Sequence, residues 1–120
     1  MATDITKKKE FFTVEPGGVL ADIVIRELST DHSRSKILVT LPEGAPLGTV
    51  LELTGNTWAI ATAGTGRLGI LTHNAPAFAH AQEVGVVDAD AVAVADALII
   101  DKDILAAATE TFLAQRVKLV

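Results

Sequence analysis

The chain has 120 residues, a formal net charge of −5 and no cysteine. This length favours one domain with a core of its own, and the missing thiols exclude disulfides, thiolate catalysis and cysteine-based zinc sites. The acidic balance argues against general binding to nucleic acid or to an anionic membrane, since both need a cationic footprint. No apolar run approaches the roughly 20 residues that span a bilayer, and the charged N-terminus lacks the apolar segment of a signal peptide. We therefore expect a soluble cytosolic protein.

The first 18 residues have the composition of a flexible arm. Residues 1–10 are polar, and the one β-prone island of the segment consists of Phe11, Phe12, Thr13 and Val14. Pro16-Gly17-Gly18 separates this island from the residues that follow. Because so short a segment buries little surface by itself, we predict a flexible arm over 1–18 and a single β-rich domain over 19–120. Three acidic residues nearly cancel the three lysines of the arm, so we expect no nucleic-acid binding there.

The first part of the domain contains two strand candidates. Val19–Leu28 is ambiguous, although Val24 and Ile25 favour a strand. Ser29–Ser35 is interpreted as a polar loop, Lys36–Leu41 as a buried strand, and Pro42–Gly48 as a second loop, since its two prolines disfavour both ladders and helix interiors.

The central stretch predicts a β-hairpin followed by a third strand. Thr49–Leu53 and Asn56–Ala61 are β-rich, and Thr54-Gly55-Asn56 is a turn signal between them. Gly69–Thr72 is the third strand. The only tryptophan, Trp58, alternates in register with Ile60, so we expect both on one face and Trp58 in the core.

The C-terminal third predicts strands and one helix. His73–Gln82 is expected to be irregular, Glu83–Asp88 and Ala91–Ile100 to be strands, the second broken near Asp96, and Val117–Val120 to be a tail or short strand. A helix is expected over Ile104–Gln115, with Asp103 as its N-cap. Its buried face would contain Leu105, Ala108 and Phe112, and its water-facing residues would be Thr109, Glu110 and Gln115.

Together these elements predict a β-dominated α+β fold, a small barrel-like domain of short strands with one C-terminal helix.

Few motifs indicate chemistry. Gly64–Gly69 matches GxGxxG, but the following residues are β-prone where a dinucleotide site needs a helix, so a turn is the favoured interpretation. His73 and His80 could meet Asp88 or Asp90 as metal ligands, although their spacing predicts nothing. The adjacent Asp31, His32 and Ser33 do not make a triad, because triad partners converge through the fold. We expect no catalytic residue, no metal and no cofactor.

One family resemblance extends from Ser35 to the C-terminus. LPEGAPLGTVLEL, a short hairpin that contains Trp58, the segment GRLGIL, and AVAVADALIIDKDIL before a terminal helix together resemble the head decoration (cement) proteins of tailed phages. The shared features are structural motifs, and none of them is catalytic.

The resemblance implies a non-enzymatic function. Such proteins assemble as homotrimers at the three-fold sites of an expanded head, on the outer capsid surface of the virion, after assembly in the host cytoplasm. They clamp neighbouring copies of the major capsid protein against internal DNA pressure, without contacting nucleic acid or membrane. Their N-terminal arm adds a strand to the shell, which here assigns capsid binding to Phe11, Phe12, Thr13 and Val14.

Two other functions remain open from the sequence. Asp101-Lys102 is similar to the attachment lysine of lipoyl or biotinyl domains, which makes a small β-barrel carrier or ligand-binding module an alternative. The chain could also be an enzyme subunit whose catalytic residues come from a partner.

Overall fold

A closed five-stranded barrel forms the larger part of the structure, a computed structural model that describes residues 20–28 and 30–120. A separate three-stranded sheet and a C-terminal helix lie beside the barrel. The predicted β-dominated α+β class is therefore confirmed. The arm lies outside the described residues, so the boundary between residues 18 and 19 stays a prediction.

The described residues form short elements joined by tight turns. The strands are β1 (Val24–Glu27), β2 (Arg34–Leu41), β3 (Val50–Thr54), β4 (Thr57–Ile60), β5 (Arg67–Leu71), β6 (Phe78–Val87), β7 (Ala91–Ala93) and β8 (Val117–Leu119). The helices are α1 (Thr30–Ser33) and α2 (Leu105–Ala114), and 3-10 turns span Leu20–Asp22, Ala95–Ala97 and Lys102–Ile104.

The predicted central hairpin is the middle of the barrel. Strands β3 and β4 pair in antiparallel fashion, and the two-residue turn between them contains Gly55 at φ +62°. This conformation costs glycine little, which explains why the turn signal is reliable. The barrel order is β2-β4-β3-β5-β6.

The barrel closes unevenly. Strands β2 and β6 pair over most of their length, from Arg34 opposite Val87 to Leu41 opposite Phe78. On its other side, β2 meets β4 in parallel with a single registered pair, Val39 opposite Trp58. We call this thin closure the β2–β4 seam.

The three-stranded sheet has the order β1-β7-β8, antiparallel between β1 and β7 and parallel between β7 and β8. Its inner side chains, among them Val24, Ala93 and Val117, share a buried cluster with Ala108 and Phe112 of α2. This cluster also includes barrel residues, so sheet, helix and barrel are joined by one core. A second buried cluster lies inside the barrel, with Val39, Leu41, Leu51, Leu71, Val84 and Val86 among its members.

Two loop predictions are wrong. Strand β6 begins at Phe78, so the second half of the segment expected to be irregular is a strand. Its pairing with β2 holds the backbone extended, which its Ala-rich sequence does not indicate. The polar segment 29–35 contains α1 and the first two residues of β2. The hydroxyl of Ser35 donates to the carboxylate of Asp88 at 2.8 Å, which fixes a polar residue inside the sheet.

Helix α2 is within one residue of its predicted bounds at each end, and Ala108 and Phe112 are buried as expected. Its predicted N-cap is wrong, because the capping side chain is Asp101, which accepts the N–H of Asp103 at 2.9 Å and caps the preceding 3-10 turn. Gln115 does not face water either. Its amide bonds both backbone groups of Leu68 and the carbonyl oxygen of Asp88.

The predicted strand Ala91–Ile100 is broken near Asp96, as expected. Only Ala91–Ala93 remain in β7, and a 3-10 turn follows at Ala95–Ala97. The C-terminal segment is the short strand β8, since β7 offers its free edge as a parallel partner.

Candidate functional site

The GxGxxG segment is a loop that leads into strand β5, which begins at Arg67 within the motif. A dinucleotide site would need a helix at this place, because the pyrophosphate binds the helix N-terminus. The interpretation of the motif as a turn is confirmed by this geometry.

The loop instead binds an anion from its own chain. The N–H groups of Thr62, Ala63 and Gly64 donate to Oε1 of Glu52 at 3.0, 3.0 and 3.2 Å, and the N–H of Gly66 donates to Oε2 at 2.7 Å. Glu52 is only 4% exposed. Burial raises the pKa of its carboxyl, but the four backbone hydrogen bonds together outweigh burial and lower the pKa to about 2. The carboxylate thus fills the nest that a phosphate would need.

Sequence reasoning missed Glu52. The available signal was a single acid inside an apolar strand, VLEL, ten residues before a glycine-rich loop. A charged residue at such a position is buried only where donors surround it.

The same loop attaches the barrel to α2. A Cβ on Gly64, which has φ +78°, would lie 3.0 Å from the carbonyl oxygen of Ile104 and 3.1 Å from the amide nitrogen of Ala108. Thr111 of α2 donates its hydroxyl to the carbonyl oxygen of Gly64 at 2.6 Å. A Cβ on Gly66 would collide with the carbonyl oxygen of Leu53. These glycines therefore serve close packing and leave no room for a ligand.

The candidate metal ligands are not brought together. Asp88 is buried and accepts hydrogen bonds from Ser35 and from Arg67, both at 2.8 Å. Asp90 pairs with Arg116, and that hydrogen bond lowers the pKa of Asp90. Within residues 20–28 and 30–120, no group of three or more potential ligands could hold a metal ion.

The two histidines of that candidate site have local contacts instead. A ring nitrogen of His73 lies 3.3 Å from the carbonyl oxygen of Asn74. The ring of His80 packs edge-on against Phe78, with 5.6 Å between the ring centroids.

Ser33 and Lys102 are two further residues that the sequence offered as candidates. Ser33 is buried, and its hydroxyl donates to the carbonyl oxygen of Asp90 at 3.0 Å. Lys102 is exposed in the 3-10 turn before α2. A carrier lysine occupies the tip of a hairpin, so the surroundings of Lys102 differ from those of an attachment site.

Trp58 is not a core residue, contrary to the sequence expectation. It is half-buried and packs against the inner barrel cluster from the seam. Ile60, two residues further along β4, is 49% exposed.

The seam is flanked by two shallow cavities. One, of about 380 Å³, is lined by Thr40, Pro42, Ala59 and Ile60 among others. The other, of about 330 Å³, is lined by Leu38, Thr40, Trp58 and Ala81 among others. Their walls contain one charged residue, Glu43, so charge is sparse along the seam.

Large apolar side chains are exposed in several places. Leu38 is 64% exposed beside the seam, Leu28 is 72% exposed at the end of β1, and Leu113 is 64% exposed on α2. These three leucines lie on different elements, so each has its own surroundings. The predicted capsid-binding residues Phe11, Phe12, Thr13 and Val14 lie outside the described residues.

No helix within the described part of the chain is long and apolar enough to cross a membrane. A scan against protein-family models gives no match, and a search of curated proteins gives none either.

Proposed function

We propose that this chain is a structural capsid decoration protein, which binds the outer surface of an expanded phage head at its three-fold sites and stabilises the head. The sequence resemblance from Ser35 onward supports this proposal. Two glycines of the resembling segments adopt left-handed backbone conformations at tightly packed positions. Gly48 has φ +92° and lies beside Ile23, and Gly44 has φ +73° and lies beside the backbone of Ala75.

The observation that carries the proposal is the apolar seam. Leu38 and Ile60 are 64% and 49% exposed, Trp58 is half-buried, and Glu43 is the one charged residue that lines the two cavities beside them. Leaving such surface in water is unfavourable by about 25 cal/mol for each Å², so a partner that covers it gains that free energy. A protein partner fits this surface better than a small molecule, since the cavities are shallow.

The arm supplies the second contact of the proposal. Phe11–Val14 has the composition of a strand with two large apolar side chains. An extended segment of this kind binds by adding to an exposed sheet edge, where backbone hydrogen bonds give affinity and alternate side chains fill pockets. The major capsid protein would provide that edge, and Pro16-Gly17-Gly18 would be the flexible joint.

Co-sedimentation with expanded empty heads of the phage that encodes the chain tests the proposal. The full chain should sediment with the heads. A chain without residues 1–14 should melt at nearly the same temperature and lose most binding. Phe12→Asp should act similarly, because it places a charge in a desolvated contact, whereas Thr6→Asp is the matched control outside the island.

Two results would contradict the proposal. If the full chain stays in the supernatant at every concentration, capsid binding fails. If the truncated chain unfolds, Phe11–Val14 is a strand of the core and not a capsid-binding element. A density map of decorated heads should show three copies at each three-fold site; dimers or single copies there would exclude the trimer.

A further inference from the structure

The outer face of the three-stranded sheet carries positive charge on an acidic protein. Arg26 of β1, Val92 of β7 and Lys118 of β8 are cross-strand neighbours, and they lie opposite the inner face that joins the core. A shallow cavity of about 330 Å³ follows this face and has mostly apolar walls. Leu28, which is 72% exposed, forms one of its edges.

The charge of this face is not neutralised locally. Arg116 also lines the cavity, but it is paired with Asp90. Within the described part of the chain, neither Arg26 nor Lys118 makes an ion pair or a side-chain hydrogen bond. The sheet face therefore keeps two free cations around an apolar centre. We call it the basic face.

The segment from the 3-10 turn at Ala95–Ala97 to the end of α2 has the opposite net charge. Between residues 95 and 115 the chain has four acids and one lysine, and the acids Asp96, Asp101, Asp103 and Glu110 are all exposed. Glu110 and Leu113 are three residues apart, so they are neighbours on the helix surface. Leu113 is 64% exposed. We call the exposed residues Asp103, Glu110 and Leu113 the acidic face.

Each face thus presents one exposed leucine, and the net charge is positive on the basic face, which also holds the Arg116–Asp90 pair, and negative between residues 95 and 115, which include Lys102. We infer that the acidic face of one copy binds the basic face of the next copy, with Leu113 placed against Leu28 and Glu110 and Asp103 placed near Arg26 and Lys118. This inference rests on the proposed trimer and names its interface. Two basic faces would repel each other, which disfavours a two-fold contact between identical patches.

A second copy is the occupant that charge favours. Unlike patches of identical chains can meet head to tail, and such heterologous contacts close into rings when the rotation allows. Opposite charges orient the encounter, and the two leucines supply the desolvated centre that interfaces require. The free chain can remain monomeric, because the shell holds several copies at high effective concentration.

The absence of cysteine makes the contact directly testable by cross-linking. Leu28→Cys and Leu113→Cys chains, one of them isotope-labelled, are mixed and treated with a short thiol cross-linker, both free in solution and bound to expanded heads. Mass spectrometry then identifies the linked peptides. Leu38→Cys is the matched control for the free chain, where no shell covers the seam, because Leu38 is a similarly exposed leucine on the barrel.

We expect links between positions 28 and 113 at about tenfold or more the yield of links between 38 and 113, a ratio that corresponds to about 1.4 kcal/mol. On heads, the Leu28→Cys, Leu113→Cys double variant should give covalent trimers. Predominant 28–28 links would overturn the inference in favour of a two-fold contact, and equal yields from positions 28 and 38 would also overturn it.

Charge exchange provides a second measurement that does not depend on cysteine geometry. The Arg26→Glu, Lys118→Glu chain should lose cooperative binding to heads, and mixing it with Asp103→Lys, Glu110→Lys chains should restore that binding. Binding of each variant alone at the level of the unmodified chain would refute the interface. If heads bind no chain at all while 28–113 links form in solution, the interface stands and the capsid role fails.

Discussion

The loop of residues 62–66 that surrounds Glu52 and the β2–β4 seam are two parts of the same barrel, and they are built in opposite ways. At the loop, one buried carboxylate accepts four backbone hydrogen bonds, and two glycines permit contacts closer than any side chain would allow. At the seam, one registered pair joins the strands, and a half-buried tryptophan covers only part of the gap.

The difference separates residues that maintain the fold from residues available for contacts. Polar groups buried at the loop have their partners inside the chain, so any change there leaves unsatisfied donors. Apolar groups exposed at the seam have no such partners, so changes there should disturb folding less. Substitutions at matched positions in the two regions test this contrast.

Replacement of Glu52 should have the largest effect. Glu52→Ala leaves four N–H groups around an empty space, and an unsatisfied buried donor costs about 1–3 kcal/mol. Because water would re-enter part of the space, we expect a total loss of about 4 kcal/mol. Urea denaturation monitored by circular dichroism measures it. A loss below about 1 kcal/mol would show that the loop does not depend on the carboxylate.

The same carboxylate predicts a pH dependence. Its pKa falls from 4.5 to about 2 on folding, a shift of the order of 3 kcal/mol. Since the folded pKa is the lower one, this stability is present above the unfolded pKa and is lost as the pH falls towards 2. Glu52→Gln should therefore flatten the stability profile between about pH 4.5 and 2, and an unchanged profile would contradict the assignment.

Gly66→Ala should have the next largest effect. Its Cβ would collide with the carbonyl oxygen of Leu53, which cannot move without disturbing the β3–β5 ladder, so we expect a loss of about 2–3 kcal/mol. Gly55→Ala is the matched control. Gly55 has φ +62° but nothing within 4 Å of a Cβ, so only about 1 kcal/mol of backbone strain should appear. Equal losses at both positions would contradict the close-packing argument.

The two regions also differ in how well the sequence predicts them. Strand and hairpin predictions held at β3 and β4, because Gly55-Asn56 and the β-rich runs are local signals. The role of Glu52 depends on donors 10 to 14 residues away, which no local pattern reveals. The expectation that Gln115 faces water is wrong for the same reason, since its partners Leu68 and Asp88 are distant in sequence.

The misplacement of Trp58 has a different cause. Alternation predicts which residues share a face of a strand, and Trp58 and Ile60 have the register expected of them. Whether that face is covered depends on how the neighbouring strand closes the barrel. The sequence does not show that β2 pairs with β4 at one residue only, so size alone suggested a core position. Strand order depends on residues that are far apart in the sequence, so a local pattern does not reveal it.

Trp58→Ala should cost less than a core tryptophan would. A fully buried Trp→Ala change costs about 3–5 kcal/mol, and half-burial reduces our expectation to about 2 kcal/mol. Ile60→Ala, on the same strand but more exposed, should cost under about 1 kcal/mol. Thermal melts of both variants test this order, and Trp58 emission in the unmodified chain should lie between the buried and water-exposed limits. A fully buried emission maximum would restore the core assignment.

Leu38→Ser should have the smallest effect on folding. Leu38 is 64% exposed, so serine removes little buried surface, and surface changes usually stay within about 0.5 kcal/mol. Leu51→Ser is the contrasting change on the barrel interior, where the leucine is fully buried and a loss above about 3 kcal/mol is expected. If the seam contacts the shell, Leu38→Ser should lower affinity for expanded heads while its melting temperature stays unchanged. If the Leu38→Ser chain melts normally and also binds heads normally, the seam is not part of the proposed capsid contact. The arm would then be the remaining element of that contact, since Leu38→Ser leaves the arm unchanged.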